Sequence, residues 1–396
     1  METQYKNFYQ EYRNKLNKQY PSIAKIALPI PPTSPFVIHL PQKTIDNIKD
    51  LVKIFYKTAH LKDYAKHIQT DKNFYLKTPA SNSSLLMSYD FHLDQNNNLK
   101  LIEVNTHSSG YLVSDLVDQV NGLNSQSKSA LSSLKKSFEQ EWESFSGIVF
   151  PPANTVIADH KIKDQKMYIE FLMYKDLLNS WGWPCQLHEI ADLRINPQGM
   201  LMDAQQKTVQ MLYNRCTDFY FENWPHLKEA FLNQKCCISP HPREYLLLAD
   251  KARLCEWNPK GFICAHSQNK PTQEEIKKIQ NVVPFTALVS SIPANELWGK
   301  RKNLFFKPLR GYGGKSVYRG KSISRNMFDR IIKKPGIFQE IVPPPTFIDP
   351  SGIKWKYDIR AYAYKDQVQK LSARVYQGQL TQFQTPLSGF ASICTP

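Results

Sequence analysis

Two neighbouring strands that carry acidic and amide side chains constrain this chain more than any other segment. Residues 87–93 read Met-Ser-Tyr-Asp-Phe-His-Leu and residues 99–105 read Leu-Lys-Leu-Ile-Glu-Val-Asn, with a polar turn over 94–98. Strand side chains alternate between faces, so Glu103 and Asn105 point the same way. With Asp90 on the first strand, two or three hard oxygen ligands face one pocket. That suits Mg²⁺, which is usually held by a few carboxylates plus substrate phosphates. Asp90, Glu103 and Asn105 are therefore the candidate metal ligands. The phosphate-binding half that such a site needs lies about 200 residues further on, around Lys307. The fold has to bring these two segments together.

A chain of 396 residues has room for two or three domains with ample core. The apolar share of 41% and charged share of 22% are those of a soluble globular protein. No apolar run approaches the length of a membrane span, and the N-terminus has no hydrophobic signal region. A cytoplasmic protein with no membrane partner is expected. Seven cysteines show no Cys-x-x-Cys spacing, hence no zinc pattern and no disulfide framework. Cys236 and Cys237 read as part of a buried strand. The net charge of +16 implies a solvated basic surface, an acidic partner or an anionic ligand. Lys and Arg are spread along the whole chain, and no RNP, zinc-finger or homeodomain signature appears, which argues against nucleic acid as a partner.

The pattern along the chain predicts a polar helix over 1–20 and an extended linker enforced by Pro29, Pro31, Pro32 and Pro35. Residues 43–70 and 112–145 have helical spacing. Ser108-Ser109-Gly110 precedes the second of these, so its backbone N–H groups are candidates to meet an anion. After Phe150-Pro151-Pro152 the chain alternates strand and helix: strands over 155–158, 185–188 and 209–213, and a helix over 167–181 ended by Gly182. This predicts a small parallel α/β unit. Residues 246–255 read as one helix containing Asp250-Lys251.

The region after 280 is richest in chemistry. In the strand Asn-Leu-Phe-Phe-Lys-Pro over 303–308, Phe305 and Lys307 face one side. A lysine inside so apolar a strand has to find an anion, because an unpaired buried charge is costly, unless the strand lies at a sheet edge and the lysine reaches solvent. Gly311, Gly313 and Gly314 follow at once and suit a loop that closes backbone N–H groups on a phosphate. A P-loop is excluded, because position 309 is Leu where the pattern needs Gly. The strand with Gln339, Glu340 and Val342 is a candidate to hold an adenine through its main chain; a plain buried strand fits the residues equally well. Residues 356–377 read as a hairpin in which Asp358 and Arg360 share a face. A three-residue turn puts Arg374 opposite Asp358 and gives two arginines facing phosphate; a two-residue turn sends Arg374 to the other side. An ordinary cross-strand ion pair is the plainer alternative. His107 and His241 are candidate acid–base groups, but each reads more simply as a polar loop residue and no role is assigned to either.

Taken together, these segments resemble the ATP-grasp superfamily of carboxylate–amine or carboxylate–thiol ligases. In that family an α/β domain is followed by an Asp-Lys helix, a Lys-Pro strand with a Gly-rich loop, a Gln-Glu hinge, an Asp-x-Arg hairpin and an Asp…Glu-x-Asn metal site. Here Asp250-Lys251, Lys307-Pro308, the glycines, Gln339-Glu340, Asp358-Ile359-Arg360 and Arg374 come in that order. The metal pattern Asp90…Glu103-Val104-Asn105 stands ahead of them all. The resemblance implies an α/β fold of α+β lobes: an ATP-grasp fold, circularly permuted, with a small parallel α/β pre-ATP-grasp domain. The implied division is 1–84, an N-terminal region packing on the core; 85–148, the metal-binding part; 149–245, the α/β substrate domain; and 246–396, the ATP-binding lobes.

Carried over by position, Lys251 and Lys307 bind ATP phosphates, with Gly311, Gly313 and Gly314 closing over them. Gln339, Glu340 and Val342 line the adenine and hinge. Arg360, Arg374 and Lys307 steady the transferred phosphate, and Asp90, Glu103 and Asn105 hold Mg²⁺. The implied reaction joins a small-molecule or peptide carboxylate to an amine or thiol through an acyl-phosphate, releasing ADP and phosphate. Related ligases are often dimers, so a homodimer is an expectation. A phosphotransferase on the same cradle and a catalytically silent nucleotide-binding effector are the alternatives. After the arginine hairpin, related proteins often have an Asn and a Gly-Gly loop. This chain has Thr381-Gln382-Phe383 and Leu387-Ser388-Gly389 instead.

Overall fold

The computed structural model describes residues 5–26, 28–68, 70–258, 271–311 and 317–395. Its centre is a seven-stranded sheet built from both ends of the chain. The order is Thr33–His39, Gly389–Cys394, Gln367–Tyr376, Lys354–Tyr364, Met87–Leu93 and Leu99–Asn105, with Thr346–Ile348 also paired to Lys354–Tyr364. All pairings are antiparallel except Thr33–His39 with Gly389–Cys394. The acidic hairpin and the arginine hairpin are thus neighbours, and Asp90 pairs directly with Arg360.

Alternation along these strands feeds two apolar cores. Ala361, Ala363 and Val375 pack with Val52 and Phe55 of the helix Gln42–Ala59. Tyr362, Tyr364 and Phe390 pack with Leu112, Leu116 and Phe138 on the opposite face. The helix expected over 112–145 is two helices, Tyr111–Val120 and Asn124–Ser146. Gly122, at φ +79, turns the chain between them. The expected proline linker is also corrected, since Thr33–His39 is a strand. Pro35 is tolerated because this strand lies at the sheet edge, where the pairing register slips between Thr33 and Val37.

The second sheet is parallel, in the order Cys185–Glu189, Thr155–Asp159, Met211–Asn214 and Cys237–Ser239. The helix Tyr168–Ser180 crosses over it and stops at Gly182, in the left-handed region at φ +79. This is the alternating α/β unit that the sequence predicts.

The third sheet is antiparallel, in the order Thr286–Leu288, Gly336–Glu340, Leu304–Pro308 and Tyr318–Arg319. Helices Ala294–Lys300 and Arg325–Ile332 cover one face over Leu297, Phe306, Phe328 and Phe338. Because Phe306 enters that core, Lys307 is turned to the other face.

Two further expectations are revised. The 246–255 helix is broken: a π-helical turn Tyr245–Ala249 ends at Asp250, and Ala252–Glu256 starts afresh. Asp250 leaves helical geometry because its carboxylate accepts from the Ala252 N–H at 3.0 Å and the Tyr220 hydroxyl at 2.5 Å. The arginine hairpin turns through two residues, Lys365 and Asp366, not three. Ala363 pairs with Val368 but Tyr362 pairs with Lys370, so Gln369 bulges out and restores the register. Arg374 therefore still lies opposite Asp358.

No helix among the described residues is long and apolar enough to cross a membrane. Cys185, Cys216, Cys236 and Cys237 are buried free thiols.

Candidate functional site

Asp90 is the hub of the central sheet's functional face. It is 1% exposed and binds Arg360 through both oxygens, with Nε to Oδ1 at 2.8 Å and Nη2 to Oδ2 at 2.7 Å. Arg374 reaches the same Oδ2 at 2.9 Å and holds Asp358 through two bonds of 2.6 and 2.9 Å. The Thr381 hydroxyl adds a bond to Asp358 at 2.9 Å. Burial alone raises the Asp90 carboxyl pKa, but the Arg360 and Arg374 charges outweigh it and hold the pKa below the ordinary value. The plainer reading, an ion-paired hairpin, accounts for the bonds that both arginines make here.

This arrangement changes the expected metal set. Asp90, expected as a ligand, has both oxygens committed to guanidinium groups and presents no open position. Glu103 lies directly opposite it on the neighbouring strand and makes no ion pair within 4 Å among the described residues. Asn105 donates to Asp90 at 3.2 Å and to Glu103 at 3.3 Å, which leaves its amide oxygen free among the described residues. Glu103 and Asn105 thus fit a hard divalent cation completed by other oxygen donors. Among the described residues no cluster of three or more His, Cys, Asp or Glu forms a self-contained metal cage.

Lys307 approaches from the third sheet. It is 6% exposed, and its Nζ donates to Gln339 Oε1 at 2.7 Å and to the Ile102 carbonyl at 3.3 Å. The expected anion is not supplied by any carboxylate within 4 Å among the described residues. Burial pushes its pKa down to about 8; the Glu103 charge opposes this and the Lys251 charge adds to it. Gln339 is fixed in turn by a 3.2 Å bond to Thr286. Lys251, placed by the break after the π-helical turn, donates to the Gly311 carbonyl at 2.9 Å. Gly313 and Gly314 lie outside the described residues.

The expected hinge is built in an unforeseen way. The Glu340 N–H is spent on the Phe285 carbonyl at 2.9 Å. An open hollow beside Glu340 is lined by Lys100, Val283, Pro284 and Phe285. The Val342 carbonyl accepts from His92 Nδ1 at 2.9 Å. His92 lies two residues after Asp90, so one strand serves both the arginine cluster and the hinge.

The Ser108-Ser109-Gly110 turn does not offer its N–H groups to a free anion. Glu170 takes them, accepting from Gly110 N–H at 2.7 and 2.9 Å and from Leu112 N–H at 3.1 Å. The turn is instead a junction between sheets. The Ser109 carbonyl accepts from Arg360 at 3.2 Å and Tyr362 at 2.9 Å, and the His107 carbonyl accepts from Arg215 at 3.2 Å.

Arg215, at the carboxyl end of the parallel sheet, is the residue that sequence reasoning missed. It is 6% exposed, its Nε has no hydrogen-bond partner among the described residues, and it makes no ion pair there within 4 Å. The signal was an arginine directly after the apolar strand Met-Leu-Tyr-Asn, the position where open α/β sheets bind ligands. Asp159, at the end of the adjacent strand, has its pKa pushed up to about 7 by burial. His107 and His241 are loop residues with hydrogen-bonded rings, His241 fully buried and His107 half-buried: His107 Nε2 lies 3.2 Å from the Asn214 amide and His241 Nε2 3.2 Å from the Asn82 carbonyl. Burial lowers the pKa of both, that of His241 to about 4.

Neither a family model nor a curated protein matches this sequence. Solved structures match its fold. One is a glutathione synthetase-like effector from Globodera pallida in its apo form, with a TM-score of 0.58 and 12% identity over 98% of this chain and 96% of that one. Another is a putative γ-glutamylcysteine synthetase from Methylobacillus flagellatus KT, with a TM-score of 0.50 and 10% identity over 86% and 85% of the two chains. At such identities the likeness is one of fold: this chain shares the fold of these two proteins.

Proposed function

We propose that this ATP-grasp chain is an ATP-dependent ligase that joins a carboxylate to an amine or thiol through an acyl-phosphate, with release of ADP and phosphate. One observation carries the reading. Among the described residues the buried cation of Lys307 has no carboxylate partner within 4 Å, and it faces the strand of Glu103 beside the Asp90–Arg360–Arg374 cluster. Burying such a charge without a counter-ion is costly, and an arriving phosphate would offset that cost. The circularly permuted order belongs to the same reading, supported by the direct pairing of Met87–Leu93 with Lys354–Tyr364.

Phosphoryl transfer needs positioning and charge neutralisation more than a protein nucleophile. Lys307 and Lys251 hold the nucleotide phosphates, and Gln339 orients the Lys307 ammonium. Glu103 and Asn105 hold Mg²⁺, which when bound supplies Lewis-acid charge at the phosphates. Asp90 is a positioning residue that fixes the two guanidinium planes, so Arg360 and Arg374 present their remaining N–H groups to the transferred phosphoryl. Arg215 suits the substrate carboxylate, because a buried, unpaired guanidinium is a selective carboxylate receptor. The 107–109 turn, fastened to Arg215 at one end and Arg360 at the other, sets the distance between acid and phosphoryl.

Calorimetry of ATP with Mg²⁺ tests the site, with the wild type beside Glu103→Ala and Lys307→Ala. Binding that weakens in both variants is expected; no binding to folded wild type sinks the reading. Phosphate release that requires both an acid and an amine or thiol then distinguishes a ligase from a phosphotransferase, which leaves a stable phosphoester. A silent nucleotide-binding effector is the second reading. It is favoured by the commitment of both arginines to Asp90 and Asp358, and ATP binding without turnover on broad acceptor pools supports it.

A further inference from the structure

The chain's positive charge is concentrated on one lobe. Residues 294–334 carry twelve Lys and Arg against two acidic residues, a net +10 of the whole chain's +16. Basic residues occur everywhere along the sequence; what sets this stretch apart is the near absence of carboxylates to pair with them.

The outer cations are not part of the nucleotide cradle. The sheet of the third lobe separates them from it. Phe306 and Phe328 fill the core between the sheet and its helices, while Lys307 points to the opposite face. On the helical side the cations are drawn together. Arg301 lies 3.5 Å and Arg325 5.2 Å from the centre of the Trp298 ring. The 301–303 turn packs on the 320–322 turn so closely that a Cβ on Gly320 would lie 2.0 Å from the Arg301 carbonyl. This brings the Arg301-Lys302 segment beside Lys321, whereas Arg319, paired with Phe305, faces the Lys307 side of the sheet. Arg301, Lys302 and Lys321 make no ion pair among the described residues, while Arg325 is paired with Asp329 at 3.1 Å.

We infer that this face is a second, polyanion-binding site whose partner is the sugar-phosphate backbone of single-stranded nucleic acid, bound without regard to sequence. A stable protein interface has an apolar centre, and a membrane-binding face has apolar side chains to insert. Among the described residues the exposed large apolar side chains lie elsewhere: Phe285 and Leu288 near the hinge, Ile148, Val149 and Phe150 at the far helix end, Ile26, and Ile348. A run of guanidinium and ammonium groups without such a centre matches a ligand bound by charge and counter-ion release.

Fluorescence anisotropy of a labelled 20-nucleotide single-stranded RNA with the full chain tests this. The expected dissociation constant is on the order of 10 µM near physiological salt, with a log–log salt slope of about −3. Lys302→Glu with Lys321→Glu, two exposed positions, is expected to weaken binding about tenfold or more and to flatten the slope, with an unchanged melting temperature. Saturating ATP with Mg²⁺ is expected to leave RNA bound. Three outcomes overturn the inference: equal binding by the charge-reversed variant, displacement of RNA by ATP, or tighter retention of poly-glutamate or of vesicles rich in anionic lipid than of RNA. Because ATP binding is read separately, failure here leaves the ligase reading standing.

Discussion

Asp90 and Glu103 lie opposite each other on adjacent strands, but their environments give them different work. Removing the Asp90 carboxylate, as in Asp90→Asn, leaves two buried guanidinium groups short of an anion. It is expected to cost about 3–5 kcal/mol in chemical denaturation. Glu103→Gln breaks no ion pair, so its stability should stay within about 1 kcal/mol of wild type while turnover falls by about two orders of magnitude or more. Normal turnover in Glu103→Gln removes the metal assignment. Lys307 has the opposite balance, since its charge is held at a cost until an anion arrives. Lys307→Met should therefore make the free protein about 1–3 kcal/mol more stable and abolish nucleotide binding. The pH dependence follows from its lowered pKa. The folded chain loses this proton near pH 8 and the unfolded chain near 10.5, so between those values the unfolded state binds more protons. The contribution of Lys307 to stability therefore rises with pH in that window. Nucleotide affinity runs the other way, because only the protonated lysine attracts phosphate. It should be flat below about pH 8 and fall above it, and Lys307→Arg should flatten the profile in calorimetry from pH 7 to 9.5.

At the scale of elements, the arginine hairpin shows how a register is kept. A two-residue turn by itself sends Arg374 to the face away from Asp358, and the bulge at Gln369 cancels that shift. Deleting Gln369 is expected to abolish nucleotide binding. Inserting one residue between Lys365 and Asp366 in the deletion variant is expected to restore it, since the count between Asp358 and Arg374 is then recovered. Circular dichroism reports whether each variant folds. If the deletion alone binds normally, the register argument fails. The turn before the helix Tyr111–Val120 is equally exacting. Gly110 has φ +92, and a Cβ there would lie 2.0 Å from the Phe390 ring. Both the left-handed backbone and the contact exclude a side chain, so Gly110→Ala should cost about 2 kcal/mol or more in thermal or chemical unfolding.

At the scale of the whole molecule, the three sheets meet through charged contacts near the Gly-rich segment. Arg310 binds Glu222 at 2.8 Å, Lys72 binds the same carboxylate at 2.9 Å, and Lys251 holds the Gly311 carbonyl. This ties the third lobe to the α/β unit and to the N-terminal region. Arg310 and Glu222 are substantially exposed, so Glu222→Gln should change global stability by no more than about 1 kcal/mol. Its effect belongs to lobe motion: faster amide exchange over residues 304–311, with little change elsewhere, is the expected result of hydrogen-exchange measurements.

The sequence by itself determined what depends on near neighbours. Strand alternation put Glu103 beside Asn105 and set Lys307 against Phe306. Helical spacing and Gly182 bounded the helix Tyr168–Ser180, and the order of short motifs identified the fold. These are legible because period, turn chemistry and φ preference act over a few residues. The tertiary structure alone decided which charges meet. Asp90 went to Arg360 and Arg374, partners 270 and 284 residues away, rather than to an open ligand position. Glu170 took the N–H of Gly110 from 60 residues away, and Arg215 was left buried with no ion pair among the described residues. The bulge at Gln369 also escaped local reading, because a turn and a bulge can give the same register and only packing of both strand faces selects between them. Electrostatic pairing in a buried site is set by distance through space, and a one-dimensional pattern carries no record of that distance until the chain has folded.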